Sequence, residues 1–268
     1  MYNYTDLHLH TRFSWDAEQT LEELINKAFR EDISFLGLTE HLDFHNNHKQ
    51  SFLHLDYPGY TAAVNDAKGD FPGLLKGVEA GEPHMHRELY EEWMQDKEFD
   101  FITASVHWID DASPVYEAYF KKFGSFDEAY KRYFEELFKL MTYGNFDVAA
   151  HLTLVHRQGA RLYDGYSYEK YKKELDDILK VMVKKGIALE VNCSGIRFPA
   201  KELIPDEKVI KAYIGLGGDS IVVGSDSHSE TNSFFGLSDG YAALEKLGVG
   251  EITIFEKRKK LKIPLVKE

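Results

Sequence analysis

The chain has 268 residues, with 32 Lys and Arg against 45 Asp and Glu and a formal net charge of −13 at pH 7. Such a field repels polyphosphate backbones and anionic lipid, which argues against a general nucleic-acid or membrane-surface binder. Apolar residues make up 43% and aromatics 14%, which is ample for a core and excludes disorder as the main state. The single cysteine, Cys193, excludes an intramolecular disulfide framework.

The opening MYNYTDLHLH carries no basic stretch followed by an apolar one, and no apolar run approaches the ~18 residues of a membrane span. A soluble, cytoplasmic protein is expected. With no linker and no repeat, residues 1–268 read as one domain.

In chain order the pattern predicts a strand over 4–9, then a helix opened by Thr20 and Glu23 as a capping box. Its apolar stripe is Leu21, Leu24, Ile25, Ala28 and Phe29. A strand follows over 35–39, then a polar, His- and Asn-rich loop over 42–58 of the kind that edges a site. Strands are predicted over 75–80 and 101–106. Ser125 and Glu128 repeat the capping device before Tyr130, Tyr133, Phe134, Leu137, Phe138 and Met141. After a strand over 146–150 comes an amphipathic helix over 168–185, stopped by Gly186. Strands over 187–192 and 221–225 complete the set, and the basic run 257–260 reads as a charged helix exterior. The strands are near-continuous apolar runs, as burial on both faces requires. Strand then helix, about seven times over, predicts an α/β fold with a parallel sheet, either a barrel or an open doubly wound sheet.

Histidines and carboxylates gather where these strands end. His8 and His10 close the first strand, Glu40 and His41 the second, Glu79 the third, His107 the fourth, His151 the fifth, and Asp226 and His228 the seventh. In a parallel barrel all of these ends lie on one face, whereas an open sheet would spread them along a line, so the barrel is the better closure. His8 and His10 are two apart and point to the same side, so two imidazoles can share one ion. Imidazole with carboxylate suits zinc, iron or manganese, and without thiolates the site is catalytic rather than structural. The number of ligands exceeds what one catalytic zinc takes. That implies a di- or trinuclear cluster, with the two oxygens of Glu79 as the bridge.

The ordered set His8-Leu9-His10-Thr11, Ser14, Asp16, Glu40-His41, Glu79, Ser105-Val106-His107, His151 and Asp226-Ser227-His228 resembles the polymerase and histidinol phosphatase (PHP) family over nearly the whole chain. The resemblance implies a distorted (β/α)7 TIM-like barrel holding two to three divalent ions. Carried over by motif position, His8, His10, Glu79 and Asp226 would hold one metal, Glu79, His107 and His151 a second, and Asp16, His41 and His228 a third. Within the family, the length and Ile263-Pro264-Leu265 look like the standalone phosphatases of histidine biosynthesis. That implies hydrolysis of L-histidinol phosphate to L-histidinol and phosphate. The alternatives are a PHP phosphoesterase acting on a nucleotide, sugar phosphate or phosphotyrosine, and a non-catalytic metal-binding module of the kind attached to replicative polymerases.

The expected mechanism is attack on phosphorus by a metal-bridging hydroxide, with Asp226 or His228 guiding protons. Arg157, Arg161 and Arg197 follow the fifth and sixth strands and are candidates for a bidentate phosphate clamp. Arg161 and Arg197 are favoured because the family's phosphatases place arginines in those loops. Glu117, beside an aromatic residue in the loop after the fourth strand, is the candidate for the substrate's ammonium. His45, His48, His54, His84, His86 and His156 are read as residues outside the metal centre, and Cys193 as a small buried filler. The expected partner is a small phosphate monoester, not nucleic acid or membrane. Oligomeric state is not legible in the sequence.

Overall fold

A computed structural model describes residues 1–45 and 51–267, so His48 lies outside the described residues. Seven strands form one sheet: β1 (Thr5–Leu9), β2 (Phe35–Asp43), β3 (Leu74–Gly81), β4 (Phe101–Ser105), β5 (Val148–Ala149), β6 (Ala188–Asn192) and β7 (Ile221–Gly224). They lie side by side in sequence order, every pair parallel. Leu9 bridges Ser227, with His10 N–H donating to the Ser227 carbonyl and Asp226 N–H to that of His8, both at 2.9 Å. These bonds join β1 to the end of β7 and make a distorted (β/α)7 barrel.

The helices α1 (Leu21–Arg30), α2 (Tyr57–Ala67), α3 (Arg87–Met94), α4 (Glu117–Phe120), α5 (Phe126–Tyr143), α6 (Leu154–Gly159), α7 (Lys172–Lys185), α8 (Glu207–Gly215) and α9 (Leu237–Lys246) fall between and after the strands. Thr20 and Glu23 form the reciprocal capping box of α1. Ser125 caps α5, but the Glu128 carboxylate accepts from Gly124 N–H, one residue earlier than the device requires. Gly186 ends α7 in the left-handed conformation (φ 68°) that glycine adopts at least cost. Phe29 and Phe138, assigned to apolar stripes by periodicity, are exposed (60% and 41%) because each sits at the edge of its stripe. Among the described residues no helix is long and apolar enough to cross a membrane.

Two parts of the chain depart from the sequence reading. β2 continues to Asp43, pairing with β3 as far as Gly81, so Glu40 and His41 lie within a strand and the connecting loop is shorter than 42–58. The basic run 257–260 is not a helix exterior. It turns an antiparallel hairpin of β8 (Glu251–Glu256) and β9 (Lys259–Pro264), with Lys257 and Arg258 at φ 48° and 66°. Asp147 takes the Arg258 guanidinium, and the Asp100 carbonyl takes its N–H.

The hairpin closes the floor of the barrel. Leu7, Leu75, Phe101, Val148, Ala188 and Val222, from six of the strands, pack with Ile254 and Phe255 into an apolar layer. The Phe101 and Phe255 rings stack at 6.0 Å. A Cβ at Gly77 would stand 2.6 Å from the Phe101 ring, so this layer needs glycine there. Above it the interior turns polar. The register of β1 slips by one residue between Asp6 and Leu9, a bulge that brings His8 inside directly after the inward-facing Leu7, and His10 follows by alternation.

Candidate metal centre

The C-terminal ends of the strands bring nine predicted ligands to one place. His8 Nε2 lies 3.4 Å from Glu79 Oε2 and 3.8 Å from Asp226 Oδ1; His10 Nε2 lies 3.6 Å and 3.8 Å from the same two atoms. On the other oxygen, Glu79 Oε1 lies 3.2 Å from His107 Nε2 and 2.9 Å from His151 Nε2. A third set is more open: His41 Nε2 and His228 Nε2 lie 3.2 Å apart, each 3.6 Å from an oxygen of Asp16.

Two donors bound at about 2.1 Å to one zinc stand about 3.4 Å apart at the tetrahedral angle. The separations above have that size. His8 Nε2, His10 Nε2 and Glu79 Oε2 are buried and face one another without a hydrogen-bond partner among the described residues. Buried polar atoms seldom stay unsatisfied, so this donor set fits cations. Four groupings of histidine and carboxylate atoms, each drawn together within 4.8 Å, cover His8, His10, His41, Asp43, Glu79, His107, His151, Asp226 and His228.

The backbone is bent to make this possible. Glu82, His151 and Asp226, just past β3, β5 and β7, have φ of 47°, 24° and 54°. Such non-glycine conformations cost ~1–3 kcal/mol each and concentrate at functional sites. Glu82 compensates by accepting from the N–H groups of His107 and Trp108; burial pushes its carboxyl up to about 8.

Electrostatics tie the side chains together. Burial disfavours a charged His8, but Glu190, Glu79 and Asp226 raise it well above the usual imidazole range. Glu79 is held well below the carboxylate range because His107 and His8 outweigh its burial. Asp226 is held low by His8 and Arg157 against the same penalty. His10, buried and flanked by His228 and His41, is pushed well below its ordinary value.

Three carboxylates stand behind the histidines. Glu190 Oε1 is 2.6 Å from His8 Nδ1, while its other oxygen accepts from His151 N–H. A Cβ at Gly224 would come within 2.6 Å of Glu190 Oε1 and 2.4 Å of His8 Cβ, so β7 must carry glycine there. Asp43 Oδ1 lies 3.4 Å from His107 Nδ1. Glu40 lies behind Ser14. Sequence reasoning gave Asp43 and Glu190 no role. The available signal was a carboxylate inside an otherwise apolar, buried strand, which burial tolerates only with partners.

Over the centre lies a cavity of ≈ 170 Å³ whose wall includes Trp15, Trp108, Ser113, Val115, Tyr116 and Arg157. Of the arginines, Arg157 reaches it, with Nη1 2.8 Å from Asp226 Oδ2 and 3.3 Å from Ser194 Oγ. Arg197 spends Nη1 and Nη2 on the carbonyls of Ser225 and Asp226 (2.8 and 2.9 Å), and so holds the end of β7. Arg161 is 67% exposed and 3.8 Å from Glu117, away from the cavity; Glu117 pairs with Lys121 at 2.8 Å. The loop after β4 meets the cavity through Trp108, Ser113, Val115 and Tyr116 instead.

The other histidines stand apart. His45 stacks on Trp108 (5.1 Å) and pairs with Asp111, His84 pairs with Glu136, His156 bonds Tyr130, and His54 is exposed. Cys193 is buried, and burial pushes its thiol up.

A seven-stranded parallel barrel with histidines and carboxylates converging at its C-terminal face is the architecture of a metal-dependent hydrolase. Residues 6–194 match the model of the PHP domain, and the chain belongs to that family. It is 28% identical to a probable histidinol-phosphatase of Clostridium acetobutylicum, covering 94% of this chain and 97% of the relative. It is 27% identical to the histidinol-phosphatase of Lactococcus lactis, covering 93% of each. The crystal structure of the Lactococcus lactis histidinol phosphate phosphatase, complexed with zinc, L-histidinol and phosphate, superposes with a TM-score of 0.87 at 25% identity, over 97% of this chain and 99% of that one.

Proposed function

We propose that this chain is a histidinol-phosphatase, hydrolysing L-histidinol phosphate to L-histidinol and phosphate with the help of two to three divalent cations. The observation that carries the reading is the convergence of buried imidazole and carboxylate donors at ligand-sized separations. Support for the substrate comes from the zinc, L-histidinol and phosphate bound by the Lactococcus lactis relative.

His8, His10, Glu79 and Asp226 would hold one cation, Glu79, His107 and His151 a second, and Asp16, His41 and His228 a third, zinc, iron and manganese all suiting these donors. When bound, such cations neutralise phosphoryl oxygens and bring the ionisation of water near neutral pH. The third set is the most solvent-accessible, the Asp16 and His228 side chains being 30% and 29% exposed.

The chain's own groups supply the rest. Arg157 is positioned to bind the phosphoryl group: it lines the cavity, Asp226 and Ser194 hold one end of its guanidinium, and its Nε has no hydrogen-bond partner among the described residues. Arg197 fixes the backbone of Asp226 from behind. Between the two candidates for proton transfer, Asp226 is the weaker base, since His8 and Arg157 keep it ionised. His228, with its side chain open to the cavity, would be the better placed of the two to pass a proton from water to the leaving alkoxide in an enzyme holding two cations, where its Nε2 is not a ligand. Trp15, Trp108 and Tyr116 provide aromatic faces for a leaving group bearing an imidazole and an ammonium.

The net charge of −13 fits a small, partly cationic ester better than a nucleic acid. A cytoplasmic setting fits the lone, buried, free Cys193. The test is phosphate release from L-histidinol phosphate, p-nitrophenyl phosphate, nucleotides and phosphotyrosine, with metal content measured on the same preparation. L-histidinol phosphate is expected to exceed the others in kcat/KM by about 100-fold or more. A kcat/KM no better than for the generic esters would sink the substrate and leave a phosphoesterase.

A further inference from the structure

Ser14 and Glu40 belong to the ordered motif set, yet neither holds a place in the scheme above. Both are buried, at 2% and 0% exposure. Ser14 Oγ donates its only proton to Glu40 Oε2 at 2.6 Å. Two further groups reach Ser14 Oγ: His41 N–H donates to it at 3.0 Å, and His10 Nδ1 lies 3.1 Å away. A hydroxyl has one proton and two lone pairs. With the proton given to Glu40 and one lone pair taken by an amide that can only donate, the second lone pair requires a proton on His10 Nδ1. Glu40 also accepts from Thr11, taking its hydroxyl at 2.6 Å and its N–H at 3.0 Å.

We propose that Glu40, acting through Ser14, is a positioning pair that sets the tautomer of His10, keeping the proton on Nδ1 and the Nε2 lone pair directed at Glu79 and Asp226. The inference rests on the metal-centre reading, because only a ligand needs that lone pair free. The same hydroxyl holds the backbone of His41, so a single contact serves two of the three ligand sets. The arrangement replaces the direct carboxylate contact that Glu190 makes to His8 with a relayed one.

Two measurements test it. In 15N-histidine-labelled, metal-free wild type, long-range 1H–15N correlation reads the His10 tautomer directly. The Nδ1–H form is expected, and an Nε2–H form would overturn the proposal whatever any variant does. Zinc titration of metal-free protein against a chromophoric chelator, run on wild type and Ser14→Ala, is expected to show a 10- to 100-fold weaker Kd in the variant. The metal-free melting temperature, measured alongside, confirms that the variant is folded. A folded variant within threefold of the wild-type Kd would overturn the proposal while leaving the metal centre intact. Failure of the wild type itself to bind zinc would overturn the metal-centre reading and this inference with it.

Discussion

Arg157 and Arg161 lie four positions apart after the same strand, yet their surroundings assign them opposite tasks. Arg157 stands beside Asp226 in the cavity wall, with its guanidinium 4.6 Å from the Phe198 ring, while Arg161 is exposed beside Glu117. A charge-assisted contact to a phosphoryl oxygen contributes ~1.5–3 kcal/mol. Arg157→Ala should therefore weaken inhibition by inorganic phosphate, and raise KM for the ester, by about 10- to 100-fold with metal content unchanged. Arg161→Ala should stay within about twofold on both. The reverse order, measured by steady-state kinetics with phosphate as inhibitor, would return the phosphate clamp to Arg161. The difference between the two kinds of site residue is physical. His8, His10, Glu79 and Asp226 are anchored to strands or strand ends, whose direction an apolar run reveals. The arginines extend from the segment around a six-residue helix, where one turn of backbone decides whether a guanidinium faces the cavity or solvent.

At the level of elements, the barrel strands were legible because burial on both faces leaves continuous apolar runs, and the site was legible because histidines recur at their C-terminal ends. The hairpin was not. Its turn is Lys257-Arg258 at positive φ, without the Asn or Gly that usually marks such a turn, and Asp147 and the Asp100 carbonyl hold Arg258 in place. Tertiary partners likewise govern α5. Glu136 is buried on that helix and takes His84 Nε2 at 2.7 Å, Arg132 Nη1 at 2.5 Å and Lys139 Nζ at 3.1 Å. Burial alone would raise its carboxyl, but these partners bring it down to about 2. A depressed carboxylate stabilises the fold above its unfolded pKa of about 4.3, and that stability is lost as pH falls through about 2. In metal-free protein, Glu136→Gln should cost about 2 kcal/mol in urea unfolding at pH 7, with the deficit closing between about pH 4 and pH 2. A deficit that persists unchanged at the acid end would mean that packing, not charge, carries the effect.

Over the whole molecule, acidity and phosphate chemistry are reconciled by where the charge lies. Asp6, Glu40, Asp43, Glu79, Glu82, Glu190 and Asp226 are all buried around the centre, each at 5% exposure or less. So many carboxylates in one core require counter-charge, and protons or cations supply it. In the metal-free state protons do so. Burial would depress His41, yet Asp16 and Glu79 raise it to about 9, and His8 and His107 are also raised. A histidine raised in the folded state stabilises fully below its unfolded pKa of about 6.5 and loses that contribution as pH climbs through the folded value. Cation binding has the opposite requirement, since it needs neutral imidazole and releases these protons. The metal-free protein should therefore lose melting temperature between pH 6 and pH 8, whereas zinc should raise it more at pH 8 than at pH 6. At zinc about 1,000-fold above Kd the gain is ~4 kcal/mol, or about 10 °C for a chain of this size. Thermal scans at the two pH values, with and without zinc after chelator treatment, read both slopes. Equal zinc stabilisation at pH 6 and pH 8 would show that the imidazoles are not exchanging protons for metal.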